Sequence, residues 1–497
     1  MLVLGIDLGT SSVKVSVVDA ATQKIVAAVS YPDSETDVIS LQPGWAEQSP
    51  ATWWENITMA ILRCHAENKY DPKDISAIGI AYQMHGLVLV DKEQHVLRNS
   101  IIWCDSRAVQ IGEEAFENMG HEKCLGSLLN SPGNFTASKL AWVKGNEPAI
   151  YDRTDKFLLP GDFIAMRLTG NITTTISALS EGVFWNFPGH QPSKDVIRYF
   201  GFNENIFPAI QPVFSDHGRL QAHVATELKM RAGIPITYKA GDQLNNALSL
   251  NVLQPGEVAA TAGTSGVIYG VSEHFTYDPL SRINSFAHVN HQQEKPRVGV
   301  LLCINGVGIF YRWLRELHCG KMKYAELNQL AAKISPGSNG LLALPFGNGA
   351  ERMLENSIAG GHFHNLDFNT HSFAHMARAV QEGIAFSFRY GLDIMRENNL
   401  HPTVARAAKT NLFLSDVFVS AFVNATGVGV EFYEGDGSFG AAIGAALGAG
   451  FYKNENEALS LRKPVGIKMP EKDESLETSY ASWKMKLGKN EKLKSNQ

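Results

Sequence analysis

Two short turns concentrate phosphate-binding chemistry in this sequence. Gly9-Thr10-Ser11-Ser12 and Gly263-Thr264-Ser265-Gly266 each set hydroxyls and exposed backbone N–H groups on a tight bend that opens with glycine. Such a nest holds phosphate oxygens. One turn in each half of the chain would grip a polyphosphate from two sides. Lys14 follows the first turn, but the Gly-x-x-x-x-Gly-Lys spacing of a P-loop is absent, and Lys14 reads as a solvated strand residue. Glycine and serine are also ordinary hairpin residues, so either turn alone fits a plain hairpin. Two such turns, one near the start of each half, fit a binding site better.

Aspartates stand beside or between those turns. Asp7 interrupts an apolar run just before the first turn. An unpaired buried carboxylate is costly, so Asp7 serves a cation or a proton, or else is held by structural hydrogen bonds. Asp242 lies in Lys239-Ala240-Gly241-Asp242-Gln243-Leu244, a strand-to-helix transition. There it is either a plain helix cap or a general base for a hydroxyl. His85, in the polar turn Gln83-Met84-His85-Gly86, sits in a strand-connecting loop where small ligands often bind. Trp103, in Trp103-Cys104-Asp105-Ser106-Arg107, offers a flat face to a small polyol and is equally at home in a core.

The elements that must position these residues repeat. Leu2 to Asp7 and Val13 to Asp19 flank the first turn as a β-hairpin, with Val13, Val15 and Val17 on one face and Lys14 and Ser16 on the other. Roughly 250 residues later, Val258 to Ala262 and Val267 to Val271 flank the second turn in the same way. The chain therefore divides into two domains of similar design, residues 1–248 and 249–497, with a turn at Gln254-Pro255-Gly256 near the junction. Trp53 to His65 is helical. Met376 to Met395 carries apolar residues at helical spacing and is core-forming. The small residues of Gly437 to Ala446 suit a helix packed closely on a neighbour. After about residue 468 the chain is polar, with one short amphipathic helix at Leu476 to Leu487 and a disordered end.

Composition removes several classes of function. A chain of 497 residues exceeds what one core supports, and 44% hydrophobic with 19% charged residues is ordinary for a folded protein. A net charge of -6 lacks the basic excess of a nucleic-acid binder. No apolar run is long enough to span a bilayer, and the N-terminus reads as a first strand rather than a signal peptide. Five scattered cysteines (Cys64, Cys104, Cys124, Cys303, Cys319) with no Cys-x-x-Cys argue for a reduced, cytoplasmic setting.

Taken together and in order, these motifs resemble the FGGY carbohydrate kinases, most closely their xylulokinase branch, over roughly positions 1–450. The resemblance rests on Gly5-Ile6-Asp7-Leu8-Gly9-Thr10-Ser11, the turn Gln83-Met84-His85-Gly86, Trp103-x-Asp105-x-Arg107, Phe135 to Val143, Gly241-Asp242 and Gly263-Thr264-Ser265-Gly266. It implies an α/β fold of two actin-like, ribonuclease-H-like domains with a catalytic cleft between them. The N-terminal domain would bind sugar and the C-terminal domain the nucleotide. It implies phosphoryl transfer from MgATP to a ketopentose, D-xylulose above all, with Asp242 as general base and Asp7 and Asp242 holding Mg²⁺. Met84, His85, Trp103, Asp242 and Gln243 would meet the sugar. Thr10, Ser11, Ser12, Thr264, Gly306 and Asn411 would line the nucleotide path.

Three departures from the family pattern stand out. Gln243 replaces the Asn usual after the catalytic aspartate in that branch, which leaves ribulose, fuculose or gluconate as alternative substrates. Arg406 to Phe413 replaces a glycine-rich adenine loop. Asn365 and Gln381 alter the second family signature, on what reads as helix surface. The altered adenine loop also favours a second reading, a non-catalytic sugar or ATP sensor on the same fold. A homodimer is the commonest assembly for such a protein.

Overall fold

The computed structural model describes residues 1–318 and 322–494. Cys319 lies outside them. The first sheet contains β1 (Leu2–Leu8), β2 (Val13–Asp19), β3 (Lys24–Tyr31), β4 (Ile75–Tyr82) and β5 (Ile236–Gly241), in the order β5-β4-β1-β2-β3. The Gly-Thr-Ser turn closes the β1–β2 hairpin with Leu8 opposite Val13, and β1, β4 and β5 run parallel.

The second sheet contains β6 (Glu257–Ala262), β7 (Gly266–Ser272), β8 (Asn284–Ala287), β9 (Val298–Ile304), β10 (Val404–Ala408), β11 (Val430–Tyr433) and β12 (Gly466–Lys468). Its order is β8-β9-β7-β6-β10-β11-β12. Without the edge strands β8 and β12, the order β9-β7-β6-β10-β11 repeats that of the first sheet, strand sense included. The two halves are the same unit used twice, as the paired turns imply.

The helices that matter for the site are α1 (Pro50–Ala66), α2 (Ile176–Glu181), α3 (Asp242–Ser249), α4 (Gly308–Leu317), α5 (Tyr324–Ala332), α6 (Phe373–Glu397), α7 (Asp416–Thr426), α8 (Gly437–Gly448) and α9 (Glu474–Lys494). Asp436 starts α8 by accepting the backbone N–H groups of Ser438 (3.0 Å) and Phe439 (3.2 Å). The helix belongs to the second half in sequence yet lies on the first sheet. A side chain at Gly5 or Gly79 would strike its backbone carbonyls, and one at Gly444 would strike the Tyr238 ring.

That placement decides the environment of Ser16, on the face of β2 opposite Val13, Val15 and Val17. It is buried against α8, with its hydroxyl 2.6 Å from that of Ser438. It also explains why β1 is apolar along most of its length, since both faces of the sheet are covered.

Helix α3 is tied to both halves. Asn245 donates to the Gly437 carbonyl (2.8 Å), and Asn246 donates to the Thr261 hydroxyl (3.4 Å). A second bridge joins the halves at β8. Asn130 donates to the Ser285 carbonyl (2.6 Å) and accepts the Ser285 N–H (2.9 Å), while Ala287 N–H donates to Ser180 (2.8 Å).

The expected C-terminal helix is longer than its apolar pattern, Glu474 to Lys494, and it is docked. Leu476, Tyr480, Trp483 and Leu487 are buried, and Trp483 Nε1 donates to the Ala343 carbonyl (2.8 Å). Residues 495–497, part of the end expected to be disordered, lie outside the described residues. No helix among the described residues is long and apolar enough to cross a membrane.

Candidate active site

The parallel strands β1 and β5 flank β4, and their carboxyl ends align: Leu8 and Gly241 both pair with Tyr82. Asp7 and Asp242 therefore leave the same edge of the sheet, the edge at which open α/β folds bind ligands. Asp242 is the first residue of α3 and Gly241 holds the cap position, so the reading of Asp242 as a plain N-cap is set aside. Both carboxylates are half-buried.

Burial pushes the Asp242 carboxyl up to about 7; the Asp7 charge adds to the rise and hydrogen bonds from Gln243 oppose it. Burial likewise pushes Asp7 up to about 6, with Lys14 lowering it and Asp436 raising it. Asp7 makes no ion pair with a described residue. Two poorly compensated carboxylates at one edge form an all-oxygen donor set that a hard cation such as Mg²⁺ fits. Elsewhere, ligand atoms of Asp91, Glu93 and His95 approach one another in an exposed turn. There Asp91 already accepts the N–H groups of Glu93 (3.1 Å) and His95 (2.9 Å), as an ordinary turn aspartate does.

His85 sits next to this edge in a left-handed conformation, φ 61°. Three contacts over-determine that conformation. Lys139 Nζ donates to the His85 carbonyl (2.9 Å), His85 Nδ1 lies 2.9 Å from the Glu181 carbonyl, and the imidazole packs on Phe135 and Phe286 (ring centroids 4.9 and 5.5 Å). A carbonyl partner requires a proton on Nδ1, so Nε2 carries the free lone pair. Burial, and then the Lys139 charge, lower the imidazole to about 3, which keeps it neutral. The segment Phe135 to Val143 thus supplies both a ring and an ammonium that hold His85. Met84 is buried beside it, and both Met84 and Glu181 lie against Gly241, where any Cβ would meet them.

Trp103 is 52% exposed, which decides between a core residue and an open face in favour of the open face. Its Nε1 donates to the Thr10 hydroxyl (2.9 Å), which in turn donates to Gln83 Oε1 (3.0 Å). The Thr10 side chain is therefore committed to holding Trp103 and Gln83. The turn's other groups, at Ser11 and Ser12, remain toward solvent. Asp105 and Arg107 are a buried ion pair (2.7 Å), with the guanidinium stacked on Trp45 (3.8 Å), and they frame the Trp103 loop.

In the second half, a cavity of about 570 Å³ opens beside the second turn. Thr264 and Asn411 line it. Gly308 lines it too, whereas Gly306, two residues earlier, does not; a Cβ there would strike the Pro345 carbonyl. Asn411 takes the left-handed conformation (φ 53°) that the altered loop needs, one that Asn tolerates better than most residues. Gln381 is not on a helix surface as expected: it is fully buried. Asn365 is on the surface, in a turn with φ 61°.

The sequence reading missed Glu181. It is fully buried, and burial followed by the Asp242 charge pushes its carboxyl well above the usual range. An acid among Ala178-Leu179-Ser180 and Gly182-Val183-Phe184 was the only trace of it.

Comparison with known proteins agrees with this geometry. A model of the FGGY family of carbohydrate kinases, N-terminal domain, matches residues 2–249, and that of the C-terminal domain matches residues 258–451. The xylulose kinase of Bacillus subtilis (strain 168) is 30% identical over 469 residues, covering 92% of this chain and 90% of that protein. The xylulose kinase of Escherichia coli (strain K12) is 29% identical over 464 residues, covering 92% and 91%. A crystal structure of a xyloylose kinase from Brucella ovis superposes with a TM-score of 0.88 at 25% identity, covering 99% of this chain and 100% of that one. Plasmodium falciparum glycerol kinase with ADP shares the fold, with a TM-score of 0.88 at 21% identity, covering 98% of each chain. With two matching domain models end to end along a duplicated fold, this chain belongs to the FGGY family of carbohydrate kinases.

Proposed function

We propose that the chain transfers the terminal phosphoryl group of ATP to a primary hydroxyl of D-xylulose, giving D-xylulose 5-phosphate and ADP. The observation that carries this reading is the placement of Asp7 and Asp242 together at the carboxyl edge of the first sheet, in a chain whose second half holds a cavity of nucleotide size beside the matching turn. Relatives named xylulose kinase along more than nine-tenths of the chain support the sugar.

Residues 1–248 form the sugar side and 249–497 the nucleotide side. His85 Nε2 accepts a sugar hydroxyl, Trp103 gives a flat wall, Met84 an apolar one, and Gln243 reads a further hydroxyl. Asp242 takes the proton from the attacking hydroxyl as its oxygen bonds to the γ-phosphorus and ADP leaves. The two Gly-Thr-Ser turns and the loop at Asn411 hold the nucleotide. Asp7 and Asp242 would hold Mg²⁺, which when bound supplies neutralisation of phosphate charge. Closure of the cleft about α3 and α8 excludes water, the competing acceptor.

Four free cysteines among the described residues support work in a reducing cytoplasm. A homodimer is the assembly we assign, and sedimentation checks it.

The test is ADP release with MgATP across a panel of ketoses and polyols. D-xylulose should give the highest kcat/KM. A higher value for ribulose, fuculose or gluconate would keep the kinase and move the sugar, with Gln243 the first residue to exchange.

A further inference from the structure

A chain of side-chain hydrogen bonds runs from the core of the first half out to Trp103. It starts at Trp53 of α1 and passes through Gln48 and Gln83, all three of them buried. Trp53 Nε1 donates to Gln48 Oε1 (3.0 Å), and Gln83 Nε2 donates to the same oxygen (3.0 Å). Gln48 Nε2 donates to the backbone carbonyls of Thr10 (2.8 Å) and Asp37 (3.4 Å). At the outer end, the Thr10 hydroxyl donates to Gln83 Oε1 (3.0 Å) and accepts from Trp103 Nε1 (2.9 Å). Every polar side-chain atom of both glutamines has a partner.

The direction of this chain is fixed at both ends. An indole N–H can only donate, and a backbone carbonyl can only accept. Reversing the Gln48 amide would set N–H against N–H at Trp53 and oxygen against oxygen at Thr10. With Gln48 fixed, the Gln83 atom facing its oxygen must be nitrogen, since the reverse sets two acceptors 3.0 Å apart. Gln83 Oε1 then faces Thr10, whose hydroxyl proton has to go to it. A Thr10 lone pair is left for Trp103, whose N–H can only donate.

The consequence falls on Trp103. The residue is 52% exposed, so packing holds its ring on one side at most, and the single indole N–H is its polar anchor. Gln48 also stands beside the root of the Trp103 loop, paired with Ser100 in a two-residue ladder. Apolar residues of similar size would fill the places of Gln48 and Gln83 without the cost of desolvating two amides. What the amides add is a fixed direction for a bond that ends on an exposed ring.

We propose that Gln48 is a positioning residue for the sugar: through Gln83 and the Thr10 hydroxyl it sets the angle at which the Trp103 indole walls the sugar site. This rests on the reading that Trp103 meets the sugar. Gln48 touches no ligand. Because it also holds the Thr10 carbonyl, the wall and the first phosphate turn keep one spacing.

The test is a double-mutant cycle on the full-length enzyme with Gln48→Met, Trp103→Phe and both together. For each, KM for the sugar that wild type turns over best, kcat and the melting temperature would be read. Gln48→Met keeps the length of the side chain and removes its amide. It should raise the sugar KM about 3- to 10-fold, the worth of one hydrogen bond. Made in the Trp103→Phe background, the same change should move that KM less than about 2-fold, because a ring without the N–H has no anchor left to lose. A Gln48 of purely structural worth would lower the melting temperature and leave the sugar KM alone, or raise it equally in both backgrounds; either result overturns the proposal. Should Gln48→Met fail to fold, Thr10→Val cuts the chain at its outer end while keeping the shape. A sugar KM unchanged there, or raised equally with and without Trp103, also overturns it. Wild-type protein that turns over no sugar would remove the proposed function together with this inference. Turnover by wild type with an unchanged sugar KM in the variants removes this inference alone.

Discussion

The Asp7 carboxylate occupies the space that a side chain at Gly437 would need. Asp7 is the next-to-last residue of β1, and Gly437 opens α8, which comes from the other half. A Cβ at position 437 would collide with the carboxyl group itself. The N-terminal end of α8 therefore lies against an acid whose charge it favours, while Asp436 beside it opposes that charge.

Gly437→Ala should move either Asp7 or the helix. Overpacking of this kind costs about 1–3 kcal/mol. We expect a lower melting temperature and a fall in kcat of about 10-fold or more, since a small misplacement of a reacting group is expensive. Unchanged kcat in a well-folded variant would mean that the position of Asp7 is not critical.

Asp242→Asn should reduce kcat about 10²–10⁴-fold, the usual worth of a general base, while sugar binding measured by calorimetry stays within a few-fold. Near-normal turnover would remove Asp242 from the role of base.

The same variant tests the raised carboxyls through stability. Asp242 is pushed up to about 7 from 3.8, so the folded state binds the proton more tightly than the unfolded state. Its contribution to stability is full below about pH 4 and is lost as pH rises through about 7. Without added metal, Asp242→Asn should therefore melt about 2–4 °C above wild type at pH 8, with the difference shrinking toward pH 4. A variant less stable than wild type at pH 8 would contradict the burial argument. For the reaction, the base must be ionised, so kcat/KM should fall roughly tenfold per unit below about pH 7.

His85→Ala should raise the sugar KM about 10-fold and leave the KM for MgATP alone, if the proposed contact of its Nε2 with a sugar hydroxyl holds. With the imidazole lowered to about 3, no part of the pH profile between 5 and 8 belongs to it. Loss of the acid limb in His85→Ala would show otherwise.

Glu181 lies behind Gly241 as a carboxyl that burial, and then the Asp242 charge, push well above the usual range. An amide has nearly the same shape as a carboxylic acid, so Glu181→Gln should keep kcat/KM within about 3-fold. Glu181→Ala should leave a cavity beside Gly241 and Met84 and lower stability by about 2–5 kcal/mol. Equal loss of activity in both variants would point to a charged Glu181 instead.

Sequence patterning reached far into this molecule. The β1–β2 hairpin, its repeat at β6–β7, the core of α6 and the docking face of α9 follow from local alternation or helical spacing, which is why they are legible residue by residue. Asp7 and Asp242 leave the same edge of the first sheet, and Thr264 and Asn411 line one cavity. Gln381 and Ser16 are the contrary cases. Gln381 reads as helix surface and Ser16 carries no burial signal of its own, yet both are buried because a partner distant in sequence satisfies them: Ser415 and Tyr311 for one, Ser438 for the other.

By itself, the sequence determined which residues are able to do chemistry and that the chain is one unit used twice. Periodicity and turn composition are properties of neighbouring residues, so they survive in a string of letters. The tertiary structure alone decided the rest: that α8 crosses to the first sheet and brings Gly437 against Asp7, that the Thr10 hydroxyl is used to hold Trp103, that Glu181 is a buried acid, and that Gln381 is buried against Ser415 and Tyr311. Each depends on which surfaces meet. Burial and hydrogen-bond satisfaction are set by contacts between residues far apart in the chain, and no local pattern encodes them.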